Sequence, residues 1–96
     1  MTRPTVAEIN LSAIRKNLKK IKSLSQGSLI YLVVKANAYG HGYKEVVKEI
    51  ENLVNGLSVA TTEEALEIRR ITNKSILCME GPYDQKELNL LIKNKI

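Results

Sequence analysis

Leu29-Ile30-Tyr31-Leu32-Val33-Val34 is an unbroken apolar run, followed at once by Lys35-Ala36-Asn37-Ala38-Tyr39-Gly40-His41-Gly42. The run is too short for a typical helix and rich in strand formers. It predicts a strand covered on both faces. Working outward, Gln26-Gly27-Ser28 breaks the pattern on the upstream side. Before that break, residues 12–24 predict an amphipathic helix. Ile14, Leu18, Ile21 and Leu24 recur at helical spacing, and the basic residues lie mostly opposite them. Asn10 or Ser12 supplies an oxygen to cap its start. Downstream, residues 37–42 read as a loop. Tyr43, Val46, Val47, Ile50, Leu53 and Val54 then predict a second helix, with Gly56 as its stop.

The same alternation continues to the end of the chain. Residues 57–60 predict a short strand, and Thr61 with Glu64 forms a capping box that opens a helix reaching about Ile71. Asn73 ends that helix, and residues 75–79 predict a third strand. Gly81-Pro82 makes a turn, Asp84 with Glu87 repeats the capping pattern, and Leu88, Leu91 and Ile92 form the apolar side of a last helix. A short extended segment over residues 5–9 precedes everything else. Three buried-type strands alternating with helices argue for a parallel α/β fold. Right-handed crossovers leave two arrangements, an open doubly wound sheet or part of a β/α barrel. Periodicity does not separate them. The length, 96 residues, suits one domain and not two.

Composition narrows the function classes. Hydrophobic residues at 44% and charged residues at 26% are those of an ordinary globular chain and argue against disorder. No apolar run approaches the roughly 20 residues of a membrane-spanning helix. Met1-Thr2-Arg3-Pro4 has no apolar segment behind its charge, so no secretory signal is expected. The single cysteine, Cys78, makes no internal disulfide, which fits a reducing cytoplasm. Its apolar neighbours predict a buried packing role. The net charge of +5 is concentrated at Arg15, Lys16, Lys19, Lys20 and Lys22. Such a cluster attracts anions. Aromatic residues are only 4%, however, which leaves little to stack on bases, and no nucleic-acid module is present. The cluster reads as the solvated side of a helix, so neither a nucleic-acid nor a membrane partner is expected.

Lys35 is the residue with chemical promise. A lysine directly after an apolar strand is unusual, because burying an unpaired ammonium is costly. The carboxyl ends of strands are where parallel α/β folds gather ligands. Partial desolvation there favours the neutral amine that attacks carbonyls. The alternative is a lysine that snorkels from the strand end. Gly40 and Gly42 bracket His41, which suits either a loop tightened around a cofactor or phosphate, or a plain strand-to-helix turn. The dinucleotide fingerprint fails because Glu45 stands where its third glycine belongs, and no Walker A pattern occurs. His41 has no second histidine or cysteine beside it, so no metal site is expected.

Residues 33–42 closely resemble the pyridoxal phosphate attachment motif of alanine racemases. Further matches stand in register: Arg3-Pro4-Thr5, Ala7-Glu8-Ile9, Leu11-Ser12-Ala13-Ile14 and Asn17-Leu18, then Val59-Ala60-Thr61, Glu63-Glu64-Ala65-Leu66 and Ile68-Arg69. The Ala38-Tyr39-Gly40-His41-Gly42 continuation favours the racemase over related pyridoxal phosphate decarboxylases. The resemblance implies a partial (β/α)8 TIM-type barrel of about three strand-helix units, preceded by a short extended segment and a helix. It implies that Lys35 holds pyridoxal 5'-phosphate and then serves as one of two bases, on the D-alanine face. Tyr39 matches the motif tyrosine beside the cofactor, with a hydrogen bond to its phosphate or to neighbouring groups; packing in the barrel mouth is the other reading. The substrate would be alanine, the assembly a homodimer and the compartment the cytoplasm.

A full barrel takes about 250 residues. The resemblance therefore implies that a tyrosine base for the opposite face, an arginine at the pyridine nitrogen and most phosphate ligands lie beyond these residues. No motif gives that base role to Tyr31, Tyr43 or Tyr83. The expectation is a truncated amino-terminal barrel domain over residues 1–96, lacking the carboxyl-terminal β domain, inactive alone and marginally stable or self-associating. Two other functions compete: a non-catalytic pyridoxal phosphate-binding barrel protein, and a basic interaction module built on residues 15–22.

Overall fold

Helix α1 (Leu11–Ser25) starts where the side chain of Asn10 accepts a hydrogen bond from the Ala13 amide at 2.9 Å, which decides between the two expected caps. Leu18 on its apolar side is buried and Ile14 half-buried, but Ile21 and Leu24 remain 52% and 72% exposed. The first half of the apolar face is thus packed and the second half is open. Arg15 departs from the solvated basic face. Its Nη1 donates to the Glu49 carbonyl at 2.7 Å and to Asn52 Oδ1 at 3.2 Å, tying α1 across the next helix. Lys16, Lys19, Lys20 and Lys22 are exposed as expected. This computed structural model describes residues 3–96; Met1 and Thr2, the start of the stretch read for a secretory signal, lie outside the described residues.

Three parallel strands, β1 (Tyr31–Val33), β2 (Gly56–Val59) and β3 (Ser75–Cys78), form one sheet in the order β1-β2-β3. Rows across the sheet are Tyr31, Gly56 and Ser75; then Leu32, Leu57 and Ile76; then Val33, Ser58 and Leu77. Side chains alternate between faces along a strand, so the Leu32 row faces one way and its two neighbouring rows the other. On the Leu32 side a layer of helices closes the core. Val46, Val47 and Ile50 of α3 (Tyr43–Ile50), Ala65 and Ile68 of α4 (Thr62–Arg69) and Leu91 of α5 (Gln85–Lys93) pack there with Val34, Leu57, Val59 and Ile76.

The opposite side has no second layer among the described residues. Tyr31 is 41% and Leu77 51% exposed there. This corrects the expectation of a first strand covered on both faces: it is covered on one. The strand is also shorter than the apolar run, and Leu29 ahead of it is exposed. Buried parallel strands need cover on both sides, and a closed barrel supplies the second cover from strands across its interior.

Three local expectations change. The helix after the loop ends at Ile50 and passes through a 3-10 turn (Glu51–Leu53). Gly56 is therefore no helix stop; it opens β2 with the Tyr31 ring against it. A methyl group there would sit 2.6 Å from Tyr31 Cζ and 2.8 Å from the Ser75 carbonyl. Cys78 is half-buried rather than buried, with its Sγ directed at the Ala60 carbonyl at 3.6 Å. Thr61 and Glu64 form the full capping box as read, with Thr61 Oγ1 accepting from the Glu64 amide; at the last helix only the first half of the pattern is found, Asp84 Oδ1 accepting from the Glu87 amide.

Sequential strand order with helices on one face excludes the flavodoxin-like order, in which β1 lies between its successors. It is shared by consecutive units of a barrel and by the first half of a dinucleotide-binding sheet.

Candidate cofactor-attachment site at the strand ends

Lys35 stands at the carboxyl end of β1, one residue past Val34, whose ψ of 23° ends the extended backbone. Lys35 is half-buried. Immediately after it the chain does something the sequence did not announce. Element α2 (Lys35–Tyr39) is a single turn wound left-handed: Ala36, Asn37, Ala38 and Tyr39 have φ of 51°, 55°, 55° and 55°. Left-handed helical backbone costs roughly 1–2 kcal/mol for each residue with a Cβ, Asn being the most tolerant. Strain of this size persists only where surroundings hold it, and it concentrates at functional sites.

What holds the turn is visible in its hydrogen bonds. The Ala38 amide donates to the Val34 carbonyl at 2.9 Å, and the Ala38 side chain is buried against the core. The Asn37 carbonyl accepts from the amides of Gly40 and Gly42 at 3.1 and 3.0 Å, and its side-chain oxygen accepts from the Tyr43 amide at 2.9 Å. Asn37 thereby joins the turn to the start of α3. Gly40 and Gly42 have φ of 88° and 89°, a region closed to most residues. Their first task is thus conformational. His41 Nδ1 lies 2.9 Å from the Ala38 carbonyl. A carbonyl only accepts, so Nδ1 carries a proton. His41 is exposed and adds no metal ligand set: among the described residues no three His, Cys, Asp or Glu side chains gather.

Glu64 reaches into this site from α4. Its Oε1 accepts from the Ala60 and Thr61 amides at 2.9 and 3.2 Å, the return half of the capping box. Its Oε2 accepts from the Ala36 amide at 2.7 Å, across a gap of 28 residues. Burial pushes this carboxyl up. The three amides and the positive charge of Lys35 outweigh that, and hold it below the usual carboxylate range.

The two sequence-chosen residues, Lys35 and Tyr39, stand at opposite ends of the left-handed turn. Tyr39 is 60% exposed. Asn37 and the third bond of Glu64 went unnoticed in the sequence. Asn is the residue most at ease in left-handed backbone, which was a weak signal. The reach of Glu64 to Ala36 had none.

A family model for the amino-terminal domain of alanine racemase matches residues 9–96. The alanine racemase of Mannheimia succiniciproducens is 42% identical over 98% of this chain and 27% of its own length. That of Streptococcus equi subsp. zooepidemicus is 45% identical over 98% and 26%. The chain spans about a quarter of the length of the curated relatives it matches. Among solved structures, the biosynthetic alanine racemase of Pseudomonas aeruginosa superposes with a TM-score of 0.92 at 40% identity, over 97% of this chain and 26% of that one. Alanine racemase of Clostridium difficile, in complex with cycloserine, superposes with a TM-score of 0.84 at 44% identity, over 100% and 27%. These likenesses decide between the two arrangements that strand order left open, and the three strand-helix units are part of a (β/α)8 TIM-type barrel. The chain belongs to the alanine racemase amino-terminal domain family.

Proposed function

We propose that the protein works as an alanine racemase, interconverting L- and D-alanine with pyridoxal 5'-phosphate held on Lys35. One observation carries this reading: a half-buried lysine at a strand's carboxyl end, with a strained left-handed turn directly behind it. The residues present fit the group. Lys35 offers a primary amine at the strand end, and Tyr39 offers an exposed phenol from the far end of the turn. The cofactor, when bound, supplies the electron sink that makes the α-proton of an amino acid removable. Lys35 would hold the group in place and afterwards move that proton on the D-alanine face. Tyr39 would donate a hydrogen bond from its phenol to the cofactor's phosphate or to a neighbouring group. The base for the opposite face belongs outside residues 1–96, as does the carboxyl-terminal β domain.

The same reading assigns D-alanine supply for peptidoglycan, a cytoplasmic location and a homodimer. Among the described residues no helix is long and apolar enough to cross a membrane. The test is made on the protein at the length its gene encodes. Borohydride reduction with pyridoxal phosphate, followed by peptide mapping, places the label on Lys35. Lys35→Ala abolishes both the label and racemisation. A label on another lysine sinks the assignment, and a labelled Lys35 without alanine turnover favours a non-catalytic cofactor-binding protein.

A further inference from the structure

We infer that Glu64 is a positioning residue for Lys35, a carboxylate strap that fixes the backbone beside the attachment lysine to the end of the neighbouring strand. The inference rests on the assignment of Lys35 above, and it concerns a residue whose sequence context announces only a helix cap.

A capping-box glutamate completes its task with one oxygen, by accepting from the amide of the cap residue. Glu64 Oε1 does this at Thr61 and accepts from Ala60 as well. That leaves Oε2 free to make a bond that a cap does not require, and it goes to the amide of Ala36, the residue directly after Lys35. At 2.7 Å it is the shortest of the carboxylate's bonds, and charge-assisted bonds of this kind are about twice as strong as neutral ones.

The location explains why such a bond is needed. Ala36 begins the run of left-handed residues, with φ of 51°. Such backbone relaxes toward ordinary geometry unless it is held. Asn37 restrains the turn on its downstream side, through Gly40, Gly42 and Tyr43. On the upstream side, next to Lys35 itself, the Ala38 amide is held by Val34 and the Ala36 amide by Glu64. Glu64 is also the only one of these restraints that comes from another strand-helix unit. It therefore sets the end of β1 relative to the end of β2. A misplacement of about 1 Å at a reacting group can cost on the order of a hundredfold in rate.

Glu64→Gln keeps the shape and one carbonyl oxygen, but it turns an amide nitrogen toward one of the backbone donors. Thr61→Ala is the control, since it weakens the helix cap through the Glu64 amide and leaves all three carboxylate bonds available. Two readouts are taken on the protein at the length its gene encodes. The first is amide hydrogen exchange without cofactor. Exchange at Ala36 accelerates about tenfold or more in Glu64→Gln, while Leu57 and Val59 in the sheet keep their protection. The second is the rate of borohydride-trapped pyridoxal phosphate labelling at Lys35, relative to the exposed lysines of α1. This ratio falls about tenfold in Glu64→Gln and holds in Thr61→Ala.

Unchanged exchange at Ala36, or an unchanged labelling ratio in Glu64→Gln, overturns the proposal. So does an equal loss in Thr61→Ala, which would make the effect one of helix stability. If Ala36 exchange responds but no lysine is favoured in the parent protein, the assignment of Lys35 fails. The positioning role then falls with it, and Glu64 is left as a structural strap.

Discussion

Ala36 is exposed, so its φ of 51° separates backbone strain from packing. Glycine at this position removes the clash of a Cβ with the following carbonyl, worth about 1–2 kcal/mol. It also adds roughly 0.5–1 kcal/mol of unfolded-state entropy to be lost. Ala36→Gly is therefore expected to stabilise the fold by up to about 1 kcal/mol. Ala36→Val, β-branched in the same backbone, destabilises it by about 1–3 kcal/mol. Urea denaturation of the pair checks this, and equal stability of the two would mean that the turn is not left-handed. Glu64 gives a second prediction at this scale. Its carboxyl is held below its ordinary value of 4.5 in the folded chain, so the unfolded chain takes up the proton first as pH falls. The stability it contributes is complete above 4.5 and is lost as pH drops through the folded value. Glu64→Gln should be less stable near neutral pH and show a shallower loss on acidification, measured as urea midpoints at successive pH values.

Among the elements, β2 shows how a local reading and a long-range contact compete. Gly56 after an amphipathic helix looks like a helix stop, yet it begins a strand because the Tyr31 ring from β1 occupies the place of its missing side chain. Gly56→Ala puts a methyl group against that ring, 2.6 Å from Tyr31 Cζ, and 2.8 Å from the Ser75 carbonyl, on both neighbouring strands at once. Overpacking of this kind costs about 1–3 kcal/mol, and a drop in thermal midpoint measures it. Tyr31→Ala in the same background, by vacating the space, should recover part of the loss. The residues that could be read correctly share one property: their partners are near in sequence. Thr61 and Glu64 are three apart, as are Asp84 and Glu87, and the helical spacings of Ile14 with Leu18 and of Val46 with Ile50 need only one turn. Lys35 is singled out by its place after β1 and by the motif around it, and its role is a proposal. The left-handed turn escaped because Ala-Asn-Ala carries no strong propensity either way. The Glu64 bond to Ala36 escaped because it spans 28 residues and depends on two strand ends meeting.

At the scale of the whole molecule, the decisive quantity is thickness. The described chain measures 48 × 44 × 19 Å. Since packed layers lie about 10 Å apart, 19 Å accommodates a sheet and one layer of helices. The other face of the sheet, with Tyr31, Leu77 and Met79, meets no second layer among the described residues. Beside β3 an apolar groove runs between Leu77, Pro82, Leu88 and Ile92, and Ile92 is 65% exposed. Among the described residues each outer strand also has an unpaired edge, which invites pairing with another chain. The 96-residue chain on its own should therefore self-associate at micromolar concentration, where exposed apolar surface and open edges drive aggregation. Leu77→Lys together with Ile92→Lys places charge at two exposed positions, one on the open face and one in the groove, and leaves the buried Leu57 and Val59 unaltered. The double variant should shift sedimentation toward monomer while leaving the far-ultraviolet circular dichroism unchanged. A parent chain that sediments as a monomer at about 100 µM would show that the open face is not a sticky one. A double variant that unfolds would show that Leu77 supports the sheet from the uncovered side as well.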